Sequence, residues 1–291
     1  MRAEIITIGD ELLIGQVVNT NQAYIAEALN SVGVDVVRMT TVGDSTTEIL
    51  ACFESAWKTA GIVVVTGGLG PTHDDITKKA VCRFFGCELV PDPAVRAHIQ
   101  TLYRGRSMAW SAAADEQAMV PAAAEVVHNP VGTAPGLLFR DGPKCFFVLP
   151  GVPYEMKAIV DGGIVPFLEQ HVTGAVIRHL TLRTTGIAES MLAREIGPVE
   201  EFLHGASLAF LPSPTGVRLR VTVKGTVAAD VDREVRRIEV FLRERAGQYV
   251  YGTGTEEIEE VLGRELAARR LTLAVAESCT GGLIADRITN V

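Results

Sequence analysis

A chain of 291 residues, 47% hydrophobic and 21% charged, is globular and long enough for two or three separate cores. Its formal net charge of −8 argues against binding of nucleic acid or an anionic membrane by the surface at large, leaving room only for a local basic site. No apolar run reaches the ~18 residues of a membrane span, and the opening MRAEIITIGDELL, acidic at its fourth position, is unlike a secretory signal. The five cysteines are odd in number, include no C-x-x-C pair, and read as small apolar fillers in a reducing compartment. A cytoplasmic protein is expected.

Residues 3 to 9, AEIITIG, read as a first strand running into Asp10-Glu11. After Gly15, VVNTNQAYIAEALNSVG has the spacing of a helix that Asn19 or Thr20 can cap, with Ala23, Ile25, Ala26, Ala28 and Leu29 on one face. VDVVRMTTVGD is a second strand and residues 46 to 58 a second helix. Residues 62 to 65, IVVV, make a third strand with no polar position, as a parallel strand buried on both faces requires. This alternation predicts an α/β domain, a parallel-rich sheet between two helical layers.

ITKKAVCRFFG is a further helix closed by Gly86, and DPAVRAHIQTLYRGRS and WSAAADEQAMVPAAA read as helical, with Pro121 as the stop. A loop with Pro130, Gly132, Pro135 and Gly136 follows, then a hairpin turning at Asp141-Gly142, a strand KCFFVL, a glycine turn LPGVP and a helix starting at Tyr154. Near Gln170 the pattern changes to strand, helix, strand, strand and a long charged helix, an α+β order that needs its own small sheet. The charge changes with it, from −7 over residues 1–175 to +2 over 176–252. The tail offers an amphipathic helix, TEEIEEVLGRELAARR, then LTLAVAESCTGGLIADRITNV, read as a strand, a turn and a helix start. The domains expected are 1–170, 171–252 and 253–291, the last too short to make a strand-rich domain alone.

Three turns suited to phosphate or metal follow three strands of the one sheet: GDELLIG at 9–15, TGGLGPTHDD at 66–75 and LPGVPYEM at 149–156. In a parallel sheet all three leave the same edge and converge where ligands bind. Gly67, Gly68 and Gly70 let backbone N–H groups approach a phosphate, and Pro71 stiffens the turn. Asp74 and Asp75 supply hard oxygen ligands for a divalent ion such as Mg²⁺, Mn²⁺ or Co²⁺. Such a site suits attack of water on a phosphoanhydride, with one aspartate on the metal, the other free to take a proton and Lys78 reaching a phosphate. Plainer readings stand beside these: Asp10 and Glu11 as a helix cap or solvated turn, Asn19 and Asn21 as N-caps, Lys78 and Lys79 as a solvated helix face, His73 as a polar turn residue.

Taken together, GDELLIGQVVNTNQ, VGD at 42–44, TGGLGPTHDDITKKA, NPVGTAPG, LPGVPYEM, TTGIAES and AVAESCTGG resemble, in order, the motifs of the CinA family, the competence/damage-inducible protein A of bacteria. The first domain is also similar to the molybdopterin-binding fold of molybdenum-cofactor enzymes. The resemblance implies a metal-dependent ADP-ribose pyrophosphatase giving AMP and ribose 5-phosphate, then a KH-like domain and the start of a nicotinamide-mononucleotide deamidase. By that resemblance the metal belongs to Asp10, Asp74 and Asp75, and catalysis to Asp74, Asp75 and Lys78. Substrate contacts fall to Gly9, Asp10, Glu11, Asn19, Asn21, Thr66, Gly67, Gly68, Gly70, Pro71, Thr72, Asn129, Gly132, Thr133, Pro150, Gly151, Pro153 and Glu155. Ser278 matches the deamidase nucleophile, but the tyrosine and lysine that would serve it fall beyond Val291, so no deamidase activity is expected of residues 1–291. The middle segment has no G-x-x-G between two helices, so nucleic-acid binding is not expected. A homodimer is, from the unfinished third domain and apolar faces at 46–58 and 154–168. The competing reading is a nucleotide or molybdopterin sensor that uses the same glycine turns without turnover.

Overall fold

The computed structural model describes residues 1–70, 76–105, 109–171, 176–213 and 215–291, and the chain forms two compact units, Met1–Ala175 and Val176–Val291. In the first, the elements are β1 (Arg2–Ile8), α1 (Asp10–Leu13), α2 (Thr20–Ser31), β2 (Asp35–Val42), α3 (Thr46–Thr59), β3 (Ile62–Thr66), α4 (Thr77–Phe85), β4 (Leu89–Pro91), α5 (Pro93–Gly105) and α6 (Ala112–Gln117). They continue with β5 (Met119–Pro121), β6 (Glu125–Val127), β7 (Gly136–Asp141), β8 (Lys144–Leu149), α7 (Pro153–Ile159), a π-helical stretch Val160–Ile164 and α8 (Val165–His171). The main sheet has the order β2-β1-β3-β8-β7-β6, its first four strands parallel and the β7 and β6 additions antiparallel. The hairpin turns at Asp141–Lys144, as the Asp141-Gly142 signal requires.

The sheet is buried on both faces. Ile6, Ile8, Val63, Val65, Phe146 and Val148 point toward Ile49, Phe53, Ala80 and Ile99 of α3, α4 and α5. The alternate residues Ile5, Ile62, Val64, Phe147 and Leu149 meet Ile25, Leu29, Met156, Ile159 and Leu168 on the other side. Period-two alternation thus feeds two cores from one set of apolar strands, giving three layers. Phe53, Phe84, Phe85, Phe139 and Phe146 knit the first core with edge-to-face and stacked rings 4.2–6.4 Å apart. In the second, the Tyr24 hydroxyl donates to both oxygens of Asp161 at 2.7 Å, and that bond pushes the phenol up to about 12. Ile5 is fully buried on β1, so Ile5→Val is expected to lower stability by about 0.5–1.5 kcal/mol, read from the denaturant midpoint.

One expectation fails here. The stretch AMVPAAA does not continue a helix: α6 ends at Gln117, and Met119–Pro121 pairs antiparallel with Leu89–Pro91. Alanine favours a helix only weakly, and the ladder with β4 together with burial of Val120 outweighs it.

The second unit runs β9 (Val176–Thr184), α9 (Glu189–Ile196), β10 (Ser207–Ser213), β11 (Gly216–Gly225), α10 (Ala228–Ala246), β12 (Val250–Thr253), α11 (Ile258–Arg269) and α12 (Leu283–Thr289). The sheet order β10-β11-β9-β12, antiparallel throughout, makes the first six elements a split βαβ arrangement, the α+β order read from the sequence. Leu182, Leu219 and Val221 pack on Leu192 of α9 and on Ile238 and Leu242 of α10. The capping box of Glu257 and Glu260 starts α11, and Arg287 of α12 holds Glu259 with two bonds of 3.0 and 2.7 Å. The strand expected at 271–277 is absent: its apolar residues have no neighbouring strand to pair with among the described residues. All five cysteines are free; burial pushes the Cys52, Cys82 and Cys145 thiols up, as apolar fillers require, whereas Cys279 is exposed and departs from that expectation. No helix among the described residues is long and apolar enough to cross a membrane.

Candidate functional site

From β1 the chain moves outward to β2 on one side and then to β3 on the other, which puts a topological switch point between β1 and β3. A cleft of about 280 Å³ opens there. It is lined by Gly9, Glu11 and Leu12 after β1, Asp44 after β2, Gly67 and Gly68 after β3, Gly151 and Pro153 after β8, and Thr20 and Asn21 of the first turn of α2. The three loops singled out by sequence meet in one place.

Their contact is backbone on backbone. Gly67 N–H donates to the Leu149 carbonyl at 3.1 Å, and a Cβ built on Gly151 would lie 3.3 Å from Gly67 Cα. Gly67 has φ +113, with the Ile8 carbonyl against the space a side chain would fill. Thr66 is buried, its hydroxyl donating to Pro150 O at 2.8 Å, while Asn21 Nδ2 donates to Gly151 O at 2.7 Å. Thr66→Val, which leaves the Pro150 carbonyl without its donor, is expected to cost about 1–2 kcal/mol in a urea titration.

The glycine loop has a second property. The carbonyls of Gly67 and Gly68 are held by the Thr77 hydroxyl at 2.9 Å and the Thr77 N–H at 3.2 Å. The Leu69 carbonyl is held by Gln117 Nε2 at 3.1 Å. A trans peptide points its N–H opposite to its C=O. The N–H groups of Gly68, Leu69 and Gly70 are accordingly turned away from these anchors, and have no hydrogen-bond partner among the described residues. Successive free amides of this kind form an anion cradle.

The other sequence candidates are placed differently. Pro71, Thr72, His73, Asp74 and Asp75 lie outside the described residues. Asp10 does not line the cleft: its Oδ1 accepts the Asp44 N–H and its own N–H donates to Asp44 Oδ2, both at 3.1 Å, so it braces the turn after β2. Asp44 takes its place on the cleft wall with Glu11. The VGD turn ending the second strand was the signal for Asp44, and only the fold shows that this turn reaches the site. Asn19 lines the cleft and is also the N-cap of α2, its Oδ1 accepting from Gln22 N at 3.1 Å and its amide donating to Thr7 Oγ1 at 2.9 Å.

Lys78 is not part of a solvated helix face: it is 7% exposed and its ammonium donates to the Gln117 carbonyl at 3.2 Å, whereas Lys79 is exposed. Asn129, Gly132 and Thr133 line a different cavity, of about 250 Å³, with His98 and His128. Asn129 is fully engaged, its amide on Glu155 Oε2 and Ala134 O at 2.7 Å each, its oxygen on the Val131 and Gly132 N–H groups. Glu155 is therefore the buried anchor of that loop, not a wall of the cleft. Ser278 is exposed in the turn before α12, and its neighbour Glu277 caps that helix through the Ile284 and Ala285 N–H groups.

Comparison with known proteins agrees with this architecture. Residues 4–170 match a model described as a probable molybdopterin binding domain, 179–252 the damage-inducible protein CinA KH domain, and 255–291 the CinA C-terminal domain. A CinA-like protein of Chloroherpeton thalassium is 43% identical over the whole of this chain and 70% of its own length. The chain belongs to the CinA family. Another CinA-like protein, from Salinibacter ruber, is 42% identical over the whole chain and 71% of its own length. The crystal structure of the protein CinA from Thermoplasma acidophilum superposes with a TM-score of 0.52 at 38% identity, covering 56% of this chain and 96% of that one. In this CinA-family chain the molybdopterin-binding-type fold is the frame that brings the cleft loops together.

Proposed function

We propose that the first unit is a divalent-metal-dependent hydrolase that splits the pyrophosphate of ADP-ribose into AMP and ribose 5-phosphate. The observation that carries this reading is the glycine loop after β3: its Gly68, Leu69 and Gly70 N–H groups have no hydrogen-bond partner among the described residues, and its Gly67 and Gly68 line the switch-point cleft with Glu11 and Asp44. The amides suit the phosphate oxygens. The carboxylates are hard oxygen donors, and a Mg²⁺-type ion needs only one or two of these when phosphate and water complete its shell, so the donor set fits such a metal. Glu11 and Asp44, with Asp74 or Asp75 from the adjoining segment, would hold it. When bound, such an ion lowers the pKa of water and offsets charge on the leaving phosphate.

The chain's own residues supply the rest. The loop amides hold and orient one phosphate through donors already fixed by Thr77 and Gln117, which lowers the reorganisation needed as charge shifts onto the leaving oxygen. The aspartate not engaged with metal takes a proton from the attacking water as the P–O bond to the bridging oxygen breaks. Incubation with ADP-ribose and Mg²⁺, Mn²⁺ or Co²⁺, followed by detection of AMP, tests the reading. Equimolar AMP and ribose 5-phosphate are expected. Binding without turnover under all three ions would overturn it in favour of a nucleotide sensor.

A further inference from the structure

We propose that Gln117 is the positioning residue of the phosphate cradle, acting through Leu69 and Lys78 without touching the substrate. This inference rests on the cradle reading above and goes beyond it by assigning the cradle's geometry to a residue of α6, forty-eight positions away in sequence.

Gln117 is 2% exposed and makes two different contacts to the segment that follows β3. Its side-chain amide donates to the Leu69 carbonyl, which fixes the plane of the Leu69–Gly70 peptide and hence the direction of the Gly70 N–H. Its main-chain carbonyl accepts from the buried ammonium of Lys78 at 3.2 Å. One residue thus sets a neutral donor of the glycine loop and the cation of the helix that follows it.

The remaining atom is informative. Gln117 Oε1 is buried and has no hydrogen-bond partner among the described residues. An amide of this kind is costly as pure packing, since a buried acceptor without a donor is destabilising. Rotating the amide by half a turn would put oxygen against the Leu69 carbonyl, so the loop contact itself dictates the orientation that strands Oε1. A methionine would fill the same space without the stranded oxygen. What it would lose is the hold on Leu69.

The test uses Gln117→Met in the full chain, with two probes. Inorganic pyrophosphate binding, by calorimetry, reports the cradle without any chemistry; ADP-ribose turnover reports its alignment. Expected are about tenfold weaker pyrophosphate binding and a kcat for ADP-ribose about tenfold to a hundredfold lower, with the thermal midpoint within about 3 °C of the parent. Gln117→Glu keeps the length but cannot donate when ionised, and is expected to show the same two losses. If the parent binds pyrophosphate but releases no AMP, the hydrolase reading fails while the pyrophosphate arm still decides on Gln117. Parent-like binding and kcat in both variants would overturn the positioning role, and so would losses matched only by a large fall in thermal midpoint.

Discussion

Gly67→Ala is expected to abolish AMP formation, with a loss of at least about 100-fold and a stability loss of about 1–3 kcal/mol. Two independent features make this position intolerant. Its φ of +113 lies in a region that side chains avoid, and the new Cβ would run into the carbonyl oxygen of Ile8, with Ile8 C only 3.1 Å away. Both are backbone atoms of β1, so no rotamer change relieves the clash. Movement in the other direction is closed by the LPG turn, because Gly67 N–H is bonded to Leu149 O and Gly151 already packs on Gly67. The loop would have to shift out of register with both neighbours, carrying the Gly68 to Gly70 amides with it. A control separates strain from site damage. Gly142 also has positive φ, at +55, but nothing surrounds its would-be Cβ. Gly142→Ala is expected to cost about 1–2 kcal/mol and leave turnover intact. Equal turnover losses in the two variants would show that Gly67 matters only for folding.

How much of this was legible beforehand varies with the physical signal. The run IVVV declared a buried parallel strand because no polar residue interrupts it, the strand-helix alternation placed AEIITIG and KCFFVL in the same sheet, and strand polarity then dictated that their following turns share an edge. The convergence of GDELL, TGG and LPG needed no side-chain detail. What sequence could not supply was the direction of individual side chains. Asp10 and Asp44 are indistinguishable as strand-end aspartates, each accepting the other's N–H, and only the fold shows that Asp44 and not Asp10 lines the cleft. Asn129 and Glu155 carry polar groups suited to a ligand, yet they satisfy one another in the interior. Lys78 looked like half of a solvated pair until α6 closed over it. Gln117 was invisible in an alanine-rich helix, because its importance lies in a contact to Leu69 that no local pattern encodes. The strand expected at 271–277 failed for a related reason: β propensity records fitness for a sheet, and pairing still requires a neighbour.

The carboxylates provide the second large effect. Asp75→Ala is expected to lower AMP formation at saturating metal by about 10²–10³-fold, the scale of several kcal/mol of transition-state stabilisation. The bracing geometry predicts a different result for Asp10→Asn. The interaction that Asp10 Oδ1 makes is acceptance of the Asp44 N–H, and an asparagine carbonyl accepts that hydrogen equally well, so the loss should stay below about tenfold. Asp44→Asn likewise keeps an acceptor for the Asp10 N–H, but removes a negative charge from the cleft wall, and is expected to raise the Mg²⁺ concentration needed for half-maximal rate with little change in folding. Titrating Mg²⁺ against rate for the three variants therefore orders them as a catalytic loss for Asp75, a metal-affinity loss for Asp44 and near-parent behaviour for Asp10. If Asp10→Asn instead matches Asp75→Ala, its charge is needed after all, and the ligand set read from the sequence replaces the one drawn from the cleft. If none of the three alters the Mg²⁺ dependence, the carboxylates of this edge serve the turn after β2 alone, and the hydrolytic reading loses its metal.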